Sequence, residues 1–149
     1  MAGFHTKIFI NHDDYMTPKS AWESINTYIP NDKIIWEAFY GDGTSGQILS
    51  DLGHMVTHEP IDFFDDNNHP VYDIIVSNPP FSLCKEVMNK LLVIDKPFIL
   101  IMPQFKINTS YIRKWKDKGL QIIIPRKRIQ FIKNGSEAET QNKCNFDCF

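Results

Sequence analysis

Short apolar runs bounded by glycine, proline or charged residues alternate along the chain with stretches whose apolar positions fall three or four apart. Lys33-Ile-Ile-Trp-Glu37, His54 to His58, Tyr72 to Ser77, Pro97 to Met102 and Leu120 to Ile124 read as strands. Thr17-Pro18 reads as a helix start, with a hydroxyl at the N-cap and proline at the first helical position. Trp22, Ile25 and Ile29 then extend a helix to about Tyr28. Ser45 to Leu52, ended by Gly53, and Leu83 to Val93, with Val87, Met88, Leu91 and Leu92 on one side, read as further helices, as does Tyr111 to Lys118. Strand and helix keep alternating, which predicts an α/β fold: a mostly parallel sheet covered by helices on both faces. Near the end, Asn134-Gly135 predicts a turn between antiparallel strands at Gln130 to Ile132 and Cys144 to Phe149. The last of these is barely begun, so the sheet reads as truncated there, with an edge open to dimerisation.

At 149 residues and 42% hydrophobic content the chain reads as one domain, 1–149, with no length for a separate recognition module. No run reaches the roughly eighteen apolar residues of a membrane span, and the first residues lack the regions of a signal peptide. The expectation is an intracellular protein, cytoplasmic or nuclear, with no membrane partner. Cys84, Cys144 and Cys148 lack a second ligand pair, so reduced thiols are expected and no metal site. The net charge of −2 hides a split: residues 1–84 carry −9 and residues 85–149 carry +7. Arg113, Lys114, Arg126, Lys127 and Arg128 stand out as a candidate footprint for a phosphate backbone; a solvated helix face followed by strand-end charges is the alternative.

Ligands of parallel sheets sit at the carboxyl ends of strands. Three segments of unusual composition lie at such ends, and they are expected to converge on one crevice. Ser77-Asn78-Pro79-Pro80-Phe81 closes an apolar strand with two residues that cannot extend a ladder. The Asn78 side-chain oxygen and the Pro79 carbonyl can each accept one hydrogen of a planar amino group, with Phe81 over the attached ring. Glu37-Ala-Phe-Tyr-Gly41-Asp-Gly43 sets a carboxylate at a strand end and then two glycines that let backbone approach a ligand, or make a plain strand-to-helix turn. After the second strand, Glu59 suits the two hydroxyls of a ribose, with Asp62 the neighbouring alternative; Phe63 and Phe64 form either an apolar wall or core.

Taken together, Glu37 to Gly43, Asp62-Phe63-Phe64 and Ser77 to Phe81 resemble the amino-group methyltransferases that use S-adenosylmethionine, notably the N6-adenine DNA methyltransferases. The resemblance spans roughly residues 13–103, in the motif order of the subgroup that opens with a Thr17-Pro18-Lys19 element. Within it the chain is most similar to small predicted adenine methyltransferases of large DNA viruses and phages. The resemblance implies a Rossmann-like class I catalytic domain. Its cofactor contacts would be Thr17, Lys19, Glu37, Phe39, Gly41, Gly43, Glu59, Asp62, Phe63 and Asn78, and its catalytic residues Asn78, Pro79, Pro80 and Phe81. The implied reaction is methyl transfer from S-adenosylmethionine to the N6 amino group of adenine in DNA. RNA adenine, a protein glutamine amide, and a non-catalytic subunit that stabilises a partner are the rival readings. Since only 46 residues follow Pro103, a homodimer or a second protein would have to supply target recognition.

Overall fold

Ile74-Ile-Val76 is apolar without alternation because both of its faces are covered, as a central parallel strand requires. The computed structural model describes residues 15–133. Its main sheet holds β2 (Ile34–Trp36), β3 (Met55–Thr57), β4 (Ile74–Ser77) and β5 (Phe98–Leu100), in the order β3-β2-β4-β5 with every pairing parallel. Trp36 stands beside Ile75 and Ile75 beside Phe98, so one row of large apolar side chains runs across the sheet. This is the α/β plan that the alternation predicts, and it is Rossmann-like.

The helices follow the spacing of their apolar residues. Helix α1 (Lys19–Ile25) runs on into a 3-10 turn at Asn26–Tyr28, and α2 (Thr44–Asp51) follows the glycine bend. These two pack together through buried Trp22 and Leu49, and the Trp22 indole donates to Ser45 Oγ at 3.2 Å. Helix α3 (Cys84–Ile94) buries Val87, Met88 and Leu91 and packs on α4 (Ser110–Arg113). The chain goes outward from β2 through α2 to β3, crosses back past β2 to β4, and continues through α3 to β5. Strand order therefore reverses between β2 and β4, and their carboxyl ends open the crevice in which such sheets bind ligands.

Several expectations need correction. Pro18, not Thr17, is the N-cap of α1, and no side chain caps the helix; the Thr17 hydroxyl is engaged elsewhere. Tyr111 to Lys118 is not one helix but α4 followed by a separate 3-10 turn at Lys116–Lys118. Leu120 to Ile124 forms no strand. It lies between Gly119, at φ 79°, and Pro125, and lines with Phe98–Met102 an apolar groove of about 1000 Å³ instead of extending the ladder. Among the described residues β5 is therefore an edge. The strand expected at Gln130 to Ile132 falls at β6 (Ile132–Lys133), paired antiparallel with β1 (Tyr15–Met16). The turn at Asn134-Gly135 and the strand at Cys144 to Phe149 lie outside the described residues. Among those residues no helix is long and apolar enough to cross a membrane, and no group of three or more His, Cys, Asp or Glu is placed to hold a metal.

Candidate functional site

Strand β4 ends in a polar residue buried as deeply as the apolar ones before it. Ser77 is fully buried, and Asn78 follows at the start of the proline corner. The Asn78 amide nitrogen donates to Thr17 Oγ1 at 3.0 Å, and Thr17, just ahead of α1, is itself buried. That bond orients the amide and leaves Asn78 Oδ1, also buried, with no hydrogen-bond partner. Pro79 is buried beside it. The Pro80 carbonyl accepts the Leu83 N–H at 2.9 Å and so starts the 3-10 turn Phe81–Leu83. Phe81 differs from its expected role as an open clamp: it is 7% exposed and packs edge-to-face on Phe131, ring centroids 6.0 Å apart. Phe131 immediately precedes β6, so the pairing of the ribbon seats this ring.

Across from the corner, β2 delivers Glu37, 1% exposed, with its N–H bonded to the Thr57 carbonyl at 3.0 Å. Ser77 joins the two strand ends: its hydroxyl donates to Glu37 Oε1 and its oxygen accepts the Phe39 N–H at 3.2 Å. Glu37 Oε2 is buried without a partner. Burial pushes the Glu37 carboxyl up to about 8, an effect that the Asp42 charge reinforces and that the bonds to Ser77 and Phe39 reduce. Beyond it the chain turns through Gly41 and Gly43 at φ 58° and 85°, backbone that other residues rarely adopt. The Tyr40 carbonyl accepts the Gly43 N–H at 2.8 Å, and Asp42 Oδ1 accepts the Thr44 N–H at 2.9 Å. A methyl group on Gly41 would stand 3.3 Å from Met16 Sδ, so β1 lies against the bend.

The glycine bend, the asparagine corner and Thr17 thus meet at one place. Other expected residues are differently used. Phe63 is buried core, 2% exposed, with its ring centroid 4.9 Å from Phe39 and 5.9 Å from Trp36; an exposed wall it is not. Asp62 spends Oδ1 on the Phe64 N–H at 2.9 Å, closing its own turn. Glu59 is exposed after β3, and Lys19 is an exposed helix residue ion-paired with Glu23 at 3.4 Å. Arg113, Lys114, Arg126, Lys127 and Arg128 are all exposed; the Arg113 guanidinium donates to the Asn108 carbonyl. Ser77, Met16 and Phe131 were not legible as site residues. Ser77 alone carried a signal, a hydroxyl ending an otherwise apolar strand.

Two buried oxygens without partners, one on each side of the Ser77 bridge, fit a ligand that brings hydrogen-bond donors: a cationic group toward Glu37 and an amino group toward Asn78. Fold and site together define an α/β protein whose glycine bend and asparagine corner meet at the carboxyl end of a parallel sheet, at its switch point. Comparison with known proteins finds no matching family model, no similar curated protein and no similar solved structure.

Proposed function

We propose that the chain is an S-adenosylmethionine-dependent methyltransferase acting on the exocyclic N6 amino group of adenine in nucleic acid, with DNA as its substrate class. The observation that carries the reading is the Asn78 amide oxygen, buried and unpartnered, oriented by Thr17 and tied through Ser77 to the glycine bend. Glu37, Gly41 and Gly43 would hold the methionine part of the cofactor, and Glu59 or Asp62 the adenosine. When bound, the cofactor supplies a methyl group already activated on a sulfonium.

An adenine amino nitrogen is a weak nucleophile because its lone pair is spread into the ring. Asn78 Oδ1 accepts one of its hydrogens and the Pro79 carbonyl the other, which favours a tetrahedral nitrogen with the lone pair aimed outward. Such bonds strengthen toward the transition state and therefore raise the rate, beyond what binding alone would do. The prolines keep the acceptors from relaxing. A base within a duplex cannot enter the crevice, so it must be flipped out or single-stranded. The basic second half of the chain favours nucleic acid over a protein amide as substrate.

Labelled methyl donor offered with duplex DNA, single-stranded DNA, RNA and a glutamine-bearing protein tests the reading. Label on DNA adenine is expected. Label on RNA or protein alone replaces the substrate class, and cofactor binding without transfer to any of them leaves a binding subunit. Absence of cofactor binding overturns the whole reading.

A further inference from the structure

We propose that Ser77 is a positioning residue: its hydroxyl fixes the buried Glu37 carboxyl at the join of β2 and β4, and binding of a ligand with an ammonium or sulfonium group there releases a proton from Glu37 to solvent. The ligand half of this inference rests on the reading of the crevice as a S-adenosylmethionine site.

The direction of the Ser77 proton follows from its neighbours. The Phe39 N–H can only donate, so it occupies an acceptor position of the hydroxyl, and the hydroxyl's own hydrogen goes to Glu37 Oε1. This single side chain therefore couples Glu37, at the end of β2, to the end of β4 that leads into Asn78. Oε2 remains without a partner in the closed interior. Among the described residues the charge acting on Glu37 is that of Asp42, in the bend before α2, and it is of like sign. From β3, the next titratable group along is His58, against which Gly46 of α2 packs; from β4 come Ser77 and Asn78, and ahead of α1 the uncharged Thr17. The cluster thus supplies hydrogen-bond donors to the carboxyl but no compensating cation. With the carboxyl's midpoint at about 8, the proton stays on Glu37 at neutral pH until a cation arrives. On binding, the O–H bond breaks, the electron pair stays on the carboxylate, the proton passes to buffer, and the ligand cation faces the carboxylate.

The test follows Glu37 directly, by carboxyl carbon-13 NMR of glutamate-labelled protein, its resonance assigned through Glu37→Gln. In the ligand-free wild type the resonance is expected to titrate near 8. Ser77→Ala shifts the midpoint upward by about one pH unit or more, because a donor to the charged form is lost; Ser77→Thr returns it. If Ser77→Ala does not fold, Ser77→Cys, a weaker donor, shifts it in the same direction. With S-adenosylmethionine added, calorimetry at pH 7 in buffers of different ionisation heat should read close to one proton released by wild type. Any release left in Glu37→Gln belongs to the ligand. A free-protein midpoint near 4.5, or one that Ser77→Ala leaves unmoved, overturns the positioning role. Binding without proton release overturns the inference and spares the methyltransferase reading. No binding at any pH overturns that reading and the ligand half together, while the NMR titration still decides the role of Ser77.

Discussion

Ile74-Ile-Val76 and Ile122-Ile-Ile124 are nearly the same sequence, yet the first is the buried centre of the sheet and the second lines an open groove. Ile75 and Val76 are fully buried between two strands, whereas Ile122 and Ile124 are 41% and 81% exposed. An apolar run becomes a strand only where a partner offers a ladder, and what it is flanked by decides that. The Ile74 run ends in Ser77, which ties itself to β2; the Ile122 run ends in Pro125 with no such tie. The comparison teaches that an apolar run joins the sheet where a polar bond ties its end to a neighbouring strand, as Ser77 does to Glu37, and stays outside it along β5, where Leu120 to Ile124 meets Phe98–Met102 across a groove.

The largest effect is expected at the centre. Trp36→Ala should cost about 3–5 kcal/mol of stability, read by urea unfolding, because it empties space among Phe63, His69 and Tyr72. A cost near zero would break the contrast between the regions. Asn78→Ala should lower methyl transfer by about a hundredfold or more while cofactor affinity stays within a few fold; an equally active variant removes Asn78 from the chemistry.

Glu37 adds a pH signature. Its folded pKa, about 8, lies above its ordinary 4.5, so the stability it permits is complete below the lower value and is lost as pH rises toward the higher. Unfolding measured across that window should show stability falling by up to about 1.4 kcal/mol per pH unit, and Glu37→Gln should flatten the slope. Smaller still, removal of the charges of Arg126, Lys127 and Arg128 should flatten the salt dependence of nucleic-acid affinity by about one unit per phosphate contact. An unchanged slope leaves them as surface charges. Least of all, Ile124→Ser in the open region should change stability by no more than about 0.5 kcal/mol.

Much of the fold was legible because it is local. The strands at Ile34–Trp36, Met55–Thr57, Ile74–Ser77 and Phe98–Leu100 lie inside the runs that predict them, and α1, α2 and α3 follow their apolar spacing. Of the β1–β6 ribbon only the strand near Ile132 was legible; β1 and the pairing were not, because a strand of two residues carries no periodicity and the partners stand at opposite ends of the described chain. That ribbon matters for the site, since it brings Met16 against Gly41 and Phe131 against Phe81. Phe63 followed the core alternative because the turn closed by Asp62 points it back toward Trp36 and Phe39.

By itself the sequence determined the alternation of strand and helix, the proline stop after Asn78 and the glycine bend after Glu37, all properties of neighbouring residues and their backbone freedom. Only the tertiary structure decided which polar atoms are buried together: that Thr17 orients Asn78 instead of capping a helix, and that Ser77 bridges to Glu37. The reason is physical. Hydrogen bonds between residues 40 or 61 positions apart depend on strand order and register, which no local pattern encodes.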